Sequence, residues 1–292
     1  VWTMHDSWCF TGACHHPYEG CNRYHEQCGK CPYFHHGTRV HDMSWRTWHR
    51  KHDLYKDINI QFVAVSNWLA ANARSSSLLA DKTITVIPNA FPVEGFHPYP
   101  VSGIKLPDGI DTGKRLILMG AARLDDPIKG IDYAIDALNR LATDDPELTS
   151  QSQAVFFGNL RDSTKLNRLK FPYVHIGMLR SATILSQLYA SATAVLSTSL
   201  YESLPTTLIE GQAAGCLPVT FGQGGQSDIV THLSDGYIAK FPDTNDIATG
   251  LKWALTANTD RKALHAGVNA RFAGSVIAAR YISLFDSLLK RH

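Results

Sequence analysis

Residues 194–221 read AVLSTSLYESLPTTLIEGQAAGCLPVTF. The apolar runs at 194–197 and 217–221 are typical of short buried strands, and residues 206–214 between them have the spacing of a helix. A strand, a helix and a second strand in this order predict two parallel strands joined by a helix that packs on their sheet. We therefore predict an α/β fold with a parallel sheet that helices cover on both faces.

The same alternation extends towards the N-terminus. The predicted strands lie at 115–119, 154–157 and 173–176, and the predicted helices lie at 131–141 and 183–190. Ligands of open parallel sheets bind beyond the carboxyl ends of the strands. The residues at these ends are therefore the candidate binding residues, namely 120–123, 158, 177, 199–205 and 222–225.

The first part of the chain is less regular. Strands are predicted at 61–65 and 83–87, and Ser66 has the side chain of an N-cap for a helix that begins at Asn67. The pattern of a buried strand starts at Val1 itself, so we expect the first domain to be incomplete at its N-terminus.

Length and proline content predict the division into domains. A chain of 292 residues usually forms two domains, and the segment at 88–107, which carries five prolines, is typical of a connector. We expect an incomplete Rossmann-like domain with a Cys/His-rich insertion at 1–95 and a second Rossmann-like domain at 96–276. A C-terminal helix at 277–292 is expected to pack back on the first domain.

Charge and hydropathy exclude two classes of protein. The formal net charge is +2 and 18% of the residues are charged, with acidic and basic residues interspersed. This distribution lacks the basic patch of a nucleic-acid-binding protein. The sequence also lacks an apolar run of about 20 residues that would span a membrane and a secretory leader. We expect a cytoplasmic protein without a nucleic-acid partner.

Two glutamates give the sharpest functional signal. Glu202 lies on the loop after a predicted strand, and Glu210 lies in the helix that follows. Ser203 and Leu204 can offer N–H donors at the positive helix end, where Pro205 suits the first turn, and this arrangement favours an anion such as phosphate. The structural alternative is that Glu210 caps or solvates the helix and that Glu202 pairs with a surface base.

Several motifs in order resemble those of one enzyme family. YESLPTTLIEG at 201–211 resembles the paired-glutamate motif of the family 4 retaining glycosyltransferases, and GAARLDDPIKG at 120–130 is similar to their glycine, arginine and lysine-glycine turn. VIPN at 86–89, VS at 65–66 and GGQSDIV at 224–230 resemble further segments of the family. The resemblance implies a GT-B fold of two Rossmann-like domains.

The resemblance also implies roles for the donor-site residues. Arg123 and Lys129 would stabilise the charge of a departing nucleoside diphosphate, and the alternative is that each is a solvated surface base. Asp125, Asp126 and Pro127 lengthen the turn between them by a residue relative to many members. The remaining donor-binding residues implied are Gly120, Gly158, Gly177, Leu179, Ser203, Leu204 and Pro205.

The two glutamates receive different roles from the resemblance. Glu210 would accept hydrogen bonds from the ribose hydroxyls, because a carboxylate offers only acceptors. Glu202 would orient the transferred sugar and stabilise charge, while the leaving phosphate takes the proton of the acceptor. His5 and Asp6, after the first strand, would complete the catalytic set, and the alternative for His5 is a buried histidine that orders a loop.

Four cysteines form a second cluster near the N-terminus. Cys14, Cys21, Cys28 and Cys31 lie within 18 residues, which suits one tetrahedral zinc ion, and the last two form a tightly spaced chelating pair. The segment resembles a cysteine-bearing insertion of a bacterial subset of the family. Free or redox-paired cysteines are the alternative. The histidines that could replace a cysteine as ligands are His15, His16, His25, His35 and His36.

The leading functional prediction is a retaining hexosyltransferase of polysaccharide biosynthesis. Its donor would be a nucleotide-diphosphate sugar, its acceptor a glycan or a lipid-linked sugar, and it would contact the inner membrane face peripherally. No cofactor is required for this chemistry, and zinc would be structural. The rival predictions are a nucleotide-sugar epimerase or a phosphorylase, a zinc-stabilised binding module, and a fragment that binds nucleotide without catalysis.

Overall fold

The computed structural model describes residues 1–17 and 20–290. The end of the predicted C-terminal helix, Arg291 and His292, and the side chain of His35 lie outside the described part. The chain divides into two compact units, Val1–Asn89 and Ala90–His292, with the boundary inside the proline-rich segment at 88–107.

The first unit is built on three parallel strands. These are β1 (Trp2–Met4), β2 (Phe62–Ala64) and β3 (Ile84–Val86), in the order β1-β2-β3. Helix α1 (Met43–Asp57) separates β1 from β2 in the chain, and α2 (Asn67–Ser75) separates β2 from β3. The Oγ of Ser66 accepts a hydrogen bond from the N–H of Leu69 at 3.1 Å, so the predicted N-cap is confirmed.

Helix α1 is the main element of this unit that the sequence does not predict. The face that it buries combines Trp48 and Tyr55 with Ser44 and Lys51. Because two of these four buried side chains are polar, the apolar periodicity that would predict an amphipathic helix is interrupted. The Oγ of Ser44 donates to the Oδ1 of Asp42 at 2.6 Å, and the Nζ of Lys51 donates to the carbonyl oxygens of Trp8 and Thr11, so hydrogen bonds compensate for the burial of both groups.

The second unit contains a sheet of six parallel strands in the order β6-β5-β4-β7-β8-β9. The strands are β4 (Arg115–Arg123), β5 (Ser152–Asn159), β6 (Tyr173–His175), β7 (Ala194–Ser197), β8 (Leu217–Phe221) and β9 (Tyr237–Ala239). The helices are α3 (Ile131–Asp144), α4 (Pro146–Ser150), α5 (Ala182–Ser191), α6 (Thr206–Ala213), α7 (Thr244–Thr256), α8 (Arg261–Phe272) and α9 (Gly274–Leu289). This strand order is that of a Rossmann fold.

Helices and strands of the second unit share one hydrophobic core. The apolar positions of α3 that define the predicted helix are all buried, from Ile131 to Leu141. Helix α3 packs against α7, helix α6 packs against α8, and both α6 and α7 contact β7 and β8. The prediction of an α/β fold with parallel sheets is confirmed. Within the described residues, no helix is long and apolar enough to cross a membrane.

Candidate functional site

The strand order of the second unit reverses between β4 and β7. The chain proceeds outwards from β4 through β5 and β6, and later from β7 through β8 and β9 on the other side. Such a reversal opens a crevice at the carboxyl ends of the two central strands, where ligands of this type of sheet bind. The predicted binding segments 120–130 and 199–205 both lie at this position.

Lys129 and Glu202 meet at the reversal point. The Nζ of Lys129 lies 2.6 Å from the Oε1 of Glu202, although the two residues are 73 positions apart in the chain. Both side chains are largely buried, with exposed fractions of 32% and 19%. The predicted phosphate-binding cation and the predicted sugar-binding carboxylate therefore occupy one place, and they form an ion pair with each other.

Backbone contacts hold the turn that carries Lys129 against the loop after β7. The N–H of Leu200 donates to the carbonyl oxygen of Ile128 at 2.8 Å, and the Oγ1 of Thr198 donates to the carbonyl oxygen of Gly130 at 2.8 Å. Gly130 has a φ of 63°, and a Cβ at this position would lie 2.2 Å from the Thr198 carbonyl oxygen. A glycine is therefore required directly after Lys129.

A second glycine turn, after β8, supports Glu202. The N–H of Gly225 donates to the Glu202 carbonyl oxygen at 2.8 Å. Gly224 has a φ of 134°, and a Cβ there would lie 2.5 Å from the same oxygen. Loops from the three adjacent strands β4, β7 and β8 thus converge on Glu202, and the backbone fixes its position on the loop.

Arg123 ends β4 and forms ion pairs with the residues that follow it. Its Nη2 lies 3.0 Å from the Oδ2 of Asp126, and its Nε lies 3.7 Å from the Oδ1 of Asp125. The other oxygen of Asp125 accepts hydrogen bonds from the N–H groups of Arg161 and Asp162 at 3.1 and 3.2 Å. The guanidinium of Arg123, which the sequence predicts to bind phosphate, is therefore already paired with the acidic residues that lengthen the turn.

The start of α6 supplies N–H donors. Helix α6 begins at Thr206, and Pro205 is its N-cap residue with an extended backbone, one position before the predicted place in the first turn. The N–H groups of Ser203 and Leu204 donate no hydrogen bond to the described part of the chain. Unsatisfied N–H groups at the positive end of a helix favour an anion.

Glu210 lies further along α6, beside a residue that the sequence does not single out. Burial raises the pKa of the Glu210 carboxyl above its ordinary value of 4.5. The hydroxyl of Tyr189 is buried next to this carboxyl, and burial and the charge of Glu210 raise the pKa of the hydroxyl. Ribose hydroxyls that donate to this carboxylate would compensate for its burial.

The predicted glycines have packing roles that the contacts make clear. A Cβ at Gly120 would lie 2.0 Å from the ring of Phe157, and a Cβ at Gly158 would lie 1.7 Å from the carbonyl oxygen of Ala121. The N–H of Gly158 donates to the Gly177 carbonyl oxygen at 2.8 Å. The close approach of β4 and β5 at their carboxyl ends therefore requires glycine.

One histidine at this edge of the sheet is missed by the sequence reasoning. The Nε2–H of His175, at the end of β6, donates to the carbonyl oxygen of Gly158 at 2.9 Å. Its place at the carboxyl end of a predicted strand was an available signal. Leu179, also predicted to bind the donor, is half-buried on the loop that follows β6.

His5 and Asp6 belong to the first unit, at the carboxyl end of β1. His5 is exposed, so the alternative of a buried, loop-ordering histidine is wrong for this residue. Asp6 accepts a hydrogen bond from the Nδ1–H of His15 at 2.7 Å and another from the N–H of Trp8 at 2.8 Å. In this unit Asp6 therefore orders the loop after β1.

The four predicted zinc ligands line a cavity of about 260 Å³ in the first unit. Cys28 and Cys31 are buried, and Cys14 and Cys21 are half-buried. Burial raises the pKa of the Cys28 thiol to about 12, and the other three thiols are close enough to add to this rise. In the described part of the chain, no three His, Cys, Asp or Glu side chains already converge as metal ligands.

The second unit can bind an anion between two cations and a helix end. Arg123 and Lys129 are each paired with a carboxylate, and an anionic ligand must compete with Asp126 and Glu202 for them. The N–H groups at the start of α6 are not paired in this way. A diphosphate has enough oxygens to accept hydrogen bonds from Arg123, Lys129 and the N–H groups at the start of α6.

Sequence comparisons relate most of the second unit to one protein family. Residues 106–271 match the family described as Glycosyl transferases group 1. The phosphatidylinositol N-acetylglucosaminyltransferase gpi3 subunit of Schizosaccharomyces pombe is 24% identical over 249 residues, which cover 80% of this chain and 49% of that protein. The chain thus spans about half the length of this curated relative.

Solved structures extend the similarity to the fold. Alr3699/HepE from Anabaena in complex with UDP-glucose has a TM-score of 0.67 at 20% identity, over 83% of this chain and 68% of that one. Sucrose-phosphate synthase from Thermosynechococcus elongatus has a TM-score of 0.64 at 21% identity, over 79% and 59% of the two chains. The predicted GT-B class of fold is confirmed.

Proposed function

Because the chain belongs to the Glycosyl transferases group 1 family, we propose that it transfers a sugar from a nucleotide-diphosphate donor with retention of the anomeric configuration. One observation carries the proposal. Lys129 and Glu202 lie 2.6 Å apart at the reversal point of the sheet, where α6 also begins. This ion pair supports a donor site in which Lys129 contacts the diphosphate and Glu202 contacts the sugar.

The leaving diphosphate is the centre of the proposed mechanism. As the bond between the anomeric carbon and the phosphate oxygen breaks, negative charge grows on that oxygen. Arg123, Lys129 and the N–H groups of Ser203 and Leu204 stabilise this charge without a metal ion. The acceptor oxygen bonds to the anomeric carbon on the face that the phosphate leaves, and its proton passes to the phosphate.

The two glutamates have separate tasks in this proposal. Glu202 orients the sugar and stabilises positive charge that develops at the anomeric carbon. Glu210 accepts hydrogen bonds from the ribose, which offset the burial that raises its pKa. Contacts to the ribose change little during the reaction, whereas contacts to the sugar change greatly. Only the second kind of contact accelerates the chemical step.

The donor class and the subset of the family are proposed from the descriptions of similar proteins and from the sequence motifs. One relative is described as an N-acetylglucosaminyltransferase subunit and one structure as a complex with UDP-glucose, which supports a hexosyl donor and makes UDP the first nucleotide to test. We assign the chain to family 4 and to its cysteine-bearing bacterial subset. A glycan or lipid-linked acceptor, a role in polysaccharide biosynthesis, and a cytoplasmic location at the inner membrane face stay predictions.

Calorimetric titration with UDP, GDP and ADP tests the donor site. We expect one nucleotide to bind in the presence of EDTA, and Lys129→Ala to weaken its binding by about 10-fold, as for the loss of a hydrogen bond to a charged group. Lys252→Ala is the matched control, because Lys252 also pairs with a carboxylate but lies on α7. Loss of binding on addition of EDTA, or equal effects of the two variants, would contradict the proposal.

Kinetics separate the two glutamates. Release of the nucleotide diphosphate from the sugar nucleotide needs no known acceptor and can be followed directly. We expect Glu202→Gln to lower kcat by about 100-fold while nucleotide binding is kept, and Glu210→Gln mainly to raise KM. NMR of the sugar product before its anomers equilibrate reports retention. An unchanged kcat for Glu202→Gln, or an inverted product, would refute the mechanism.

A further inference from the structure

The cysteine cluster of the first unit lies outside the proposed donor site and has its own supporting contacts. Four thiols within a stretch of 18 residues, from Cys14 to Cys31, line one cavity together with His15 and His16. The fold therefore brings all four side chains to the wall of one cavity, although no three of them converge on a common point within the described residues.

A backbone N–H group already points at one of the sulfurs. The N–H of Gly12 donates to the Sγ of Cys28 at 3.1 Å, and this hydrogen bond fixes the position of the sulfur in the loop. The N–H of Phe34 donates to the carbonyl oxygen of Cys31 at 2.9 Å and closes a turn at the end of the cysteine segment. A Cβ at Gly12 would lie 2.7 Å from the Cβ of Cys28, so glycine permits this approach.

Helix α1 anchors both ends of the cysteine segment. The N–H of Cys31 donates to the Oδ2 of Asp42 at 2.7 Å, and Asp42 is the N-cap of α1. The Nζ of Lys51, on the same helix, donates to the carbonyl oxygens of Trp8 and Thr11, the latter at 3.0 Å. Both ends of the cysteine segment, at Thr11 and at Cys31, are therefore fastened to α1.

Charge favours four thiolates over a mixture of thiols and histidines. A zinc ion with four thiolates carries a net charge of −2. The side chain of Arg23 lines the cavity. One cation thus lies beside the position where a net charge of −2 would form.

We propose that Cys14, Cys21, Cys28 and Cys31 bind one zinc ion through four thiolates, as a structural site that fastens the N-terminal loop to α1. The sulfurs surround the cavity without meeting at a common point, so zinc binding draws them inwards. The contacts of Thr11 and Cys31 with α1 are kept in this movement. The site takes no part in sugar transfer.

Metal analysis of the full chain, purified without chelators, tests the proposal. We expect about one zinc per chain in the parent protein, and a large loss of zinc in Cys21→Ser and Cys31→Ser. Cys216→Ser is the matched control, because this buried thiol lies on the second unit and should leave the zinc content unchanged. Less than about 0.1 zinc per chain in a folded parent protein would overturn the proposal.

A second measurement covers the case in which the cysteine variants do not fold. The parent protein is stripped with a chelator and titrated with Co²⁺ alone. Thiolate ligands then give a sulfur-to-cobalt charge-transfer band, and we expect saturation at about one equivalent with an accompanying rise in Tm. Absence of the band, or a Cys28 to Cys31 disulfide in protein kept under reducing conditions, would refute the zinc site.

Discussion

Replacing Asp126 by asparagine tests whether Arg123 binds the diphosphate. In the free protein the guanidinium lies 3.0 Å from the Asp126 carboxylate, and the diphosphate has to break this ion pair. Asparagine removes the charge but keeps an oxygen that can accept from the N–H of Ile128, as Asp126 Oδ1 does at 3.2 Å. The substitution therefore removes the carboxylate that competes with the diphosphate for Arg123, and it leaves the turn intact.

The exposure of the pair sets the magnitude. Arg123 and Asp126 are 36% and 40% exposed, and ion pairs of this kind contribute about 0.2–1 kcal/mol. If Arg123 binds the diphosphate, Asp126→Asn should tighten nucleotide binding by about 1.4- to 5-fold. The removal of a negative charge close to an anion acts in the same direction. Salt screens both effects, so the gain should shrink as ionic strength rises.

Calorimetric titration with UDP at low and high salt measures the gain, and two further variants identify its origin. Asp144→Asn removes a carboxylate from another exposed ion pair, with Arg140 on α3, and should leave the affinity unchanged. In an Arg123→Ala background, Asp126→Asn should lose most of its effect. Weaker or unchanged binding by Asp126→Asn, with the fold intact, would refute the competition between Asp126 and the ligand.

Two more predictions concern residues of the same site. Glu210→Gln should raise Tm at neutral pH but not below about pH 4. The folded state raises the pKa of this carboxyl above its ordinary value of 4.5, so ionisation of the carboxyl at higher pH favours the unfolded chain, and glutamine does not ionise. Equal changes in Tm at both pH values would contradict this. Gly224→Ala should lower both Tm and turnover, since the φ of Gly224 is 134° and a Cβ there would clash with the Glu202 carbonyl oxygen. The control is Gly267→Ala in α8, where a Cβ meets no other atom within 4 Å and should stabilise the protein by about 0.5–1 kcal/mol. Similar Tm changes for the two variants would contradict the contact at Gly224.

Local sequence patterns determined much of the second unit. Strands β7 and β8 lie at the predicted residues, because short apolar runs bounded by turn residues specify buried parallel strands. The order of strands and helices predicted the parallel sheet, and the sheet in turn predicted a site at its carboxyl edge. Glu202 and Arg123 could be selected from the sequence because each lies at or just after the end of a strand, whereas Lys129 was selected because its turn resembles that of the family 4 retaining glycosyltransferases.

Only the tertiary structure decided which of these groups pair. The contact of Lys129 with Glu202 joins loops 73 residues apart, the buried Tyr189 hydroxyl beside Glu210 comes from another helix, and Asp126 turns back on Arg123. Such contacts depend on the distances between strands and on the backbone conformation of the glycine turns. The hydrophobic periodicity of the sequence specifies neither. Helix α1 was also not predicted from the sequence. Its buried face is not a continuous apolar stripe, because it includes Lys51, whose ammonium donates to a backbone carbonyl oxygen 40 positions away in the chain.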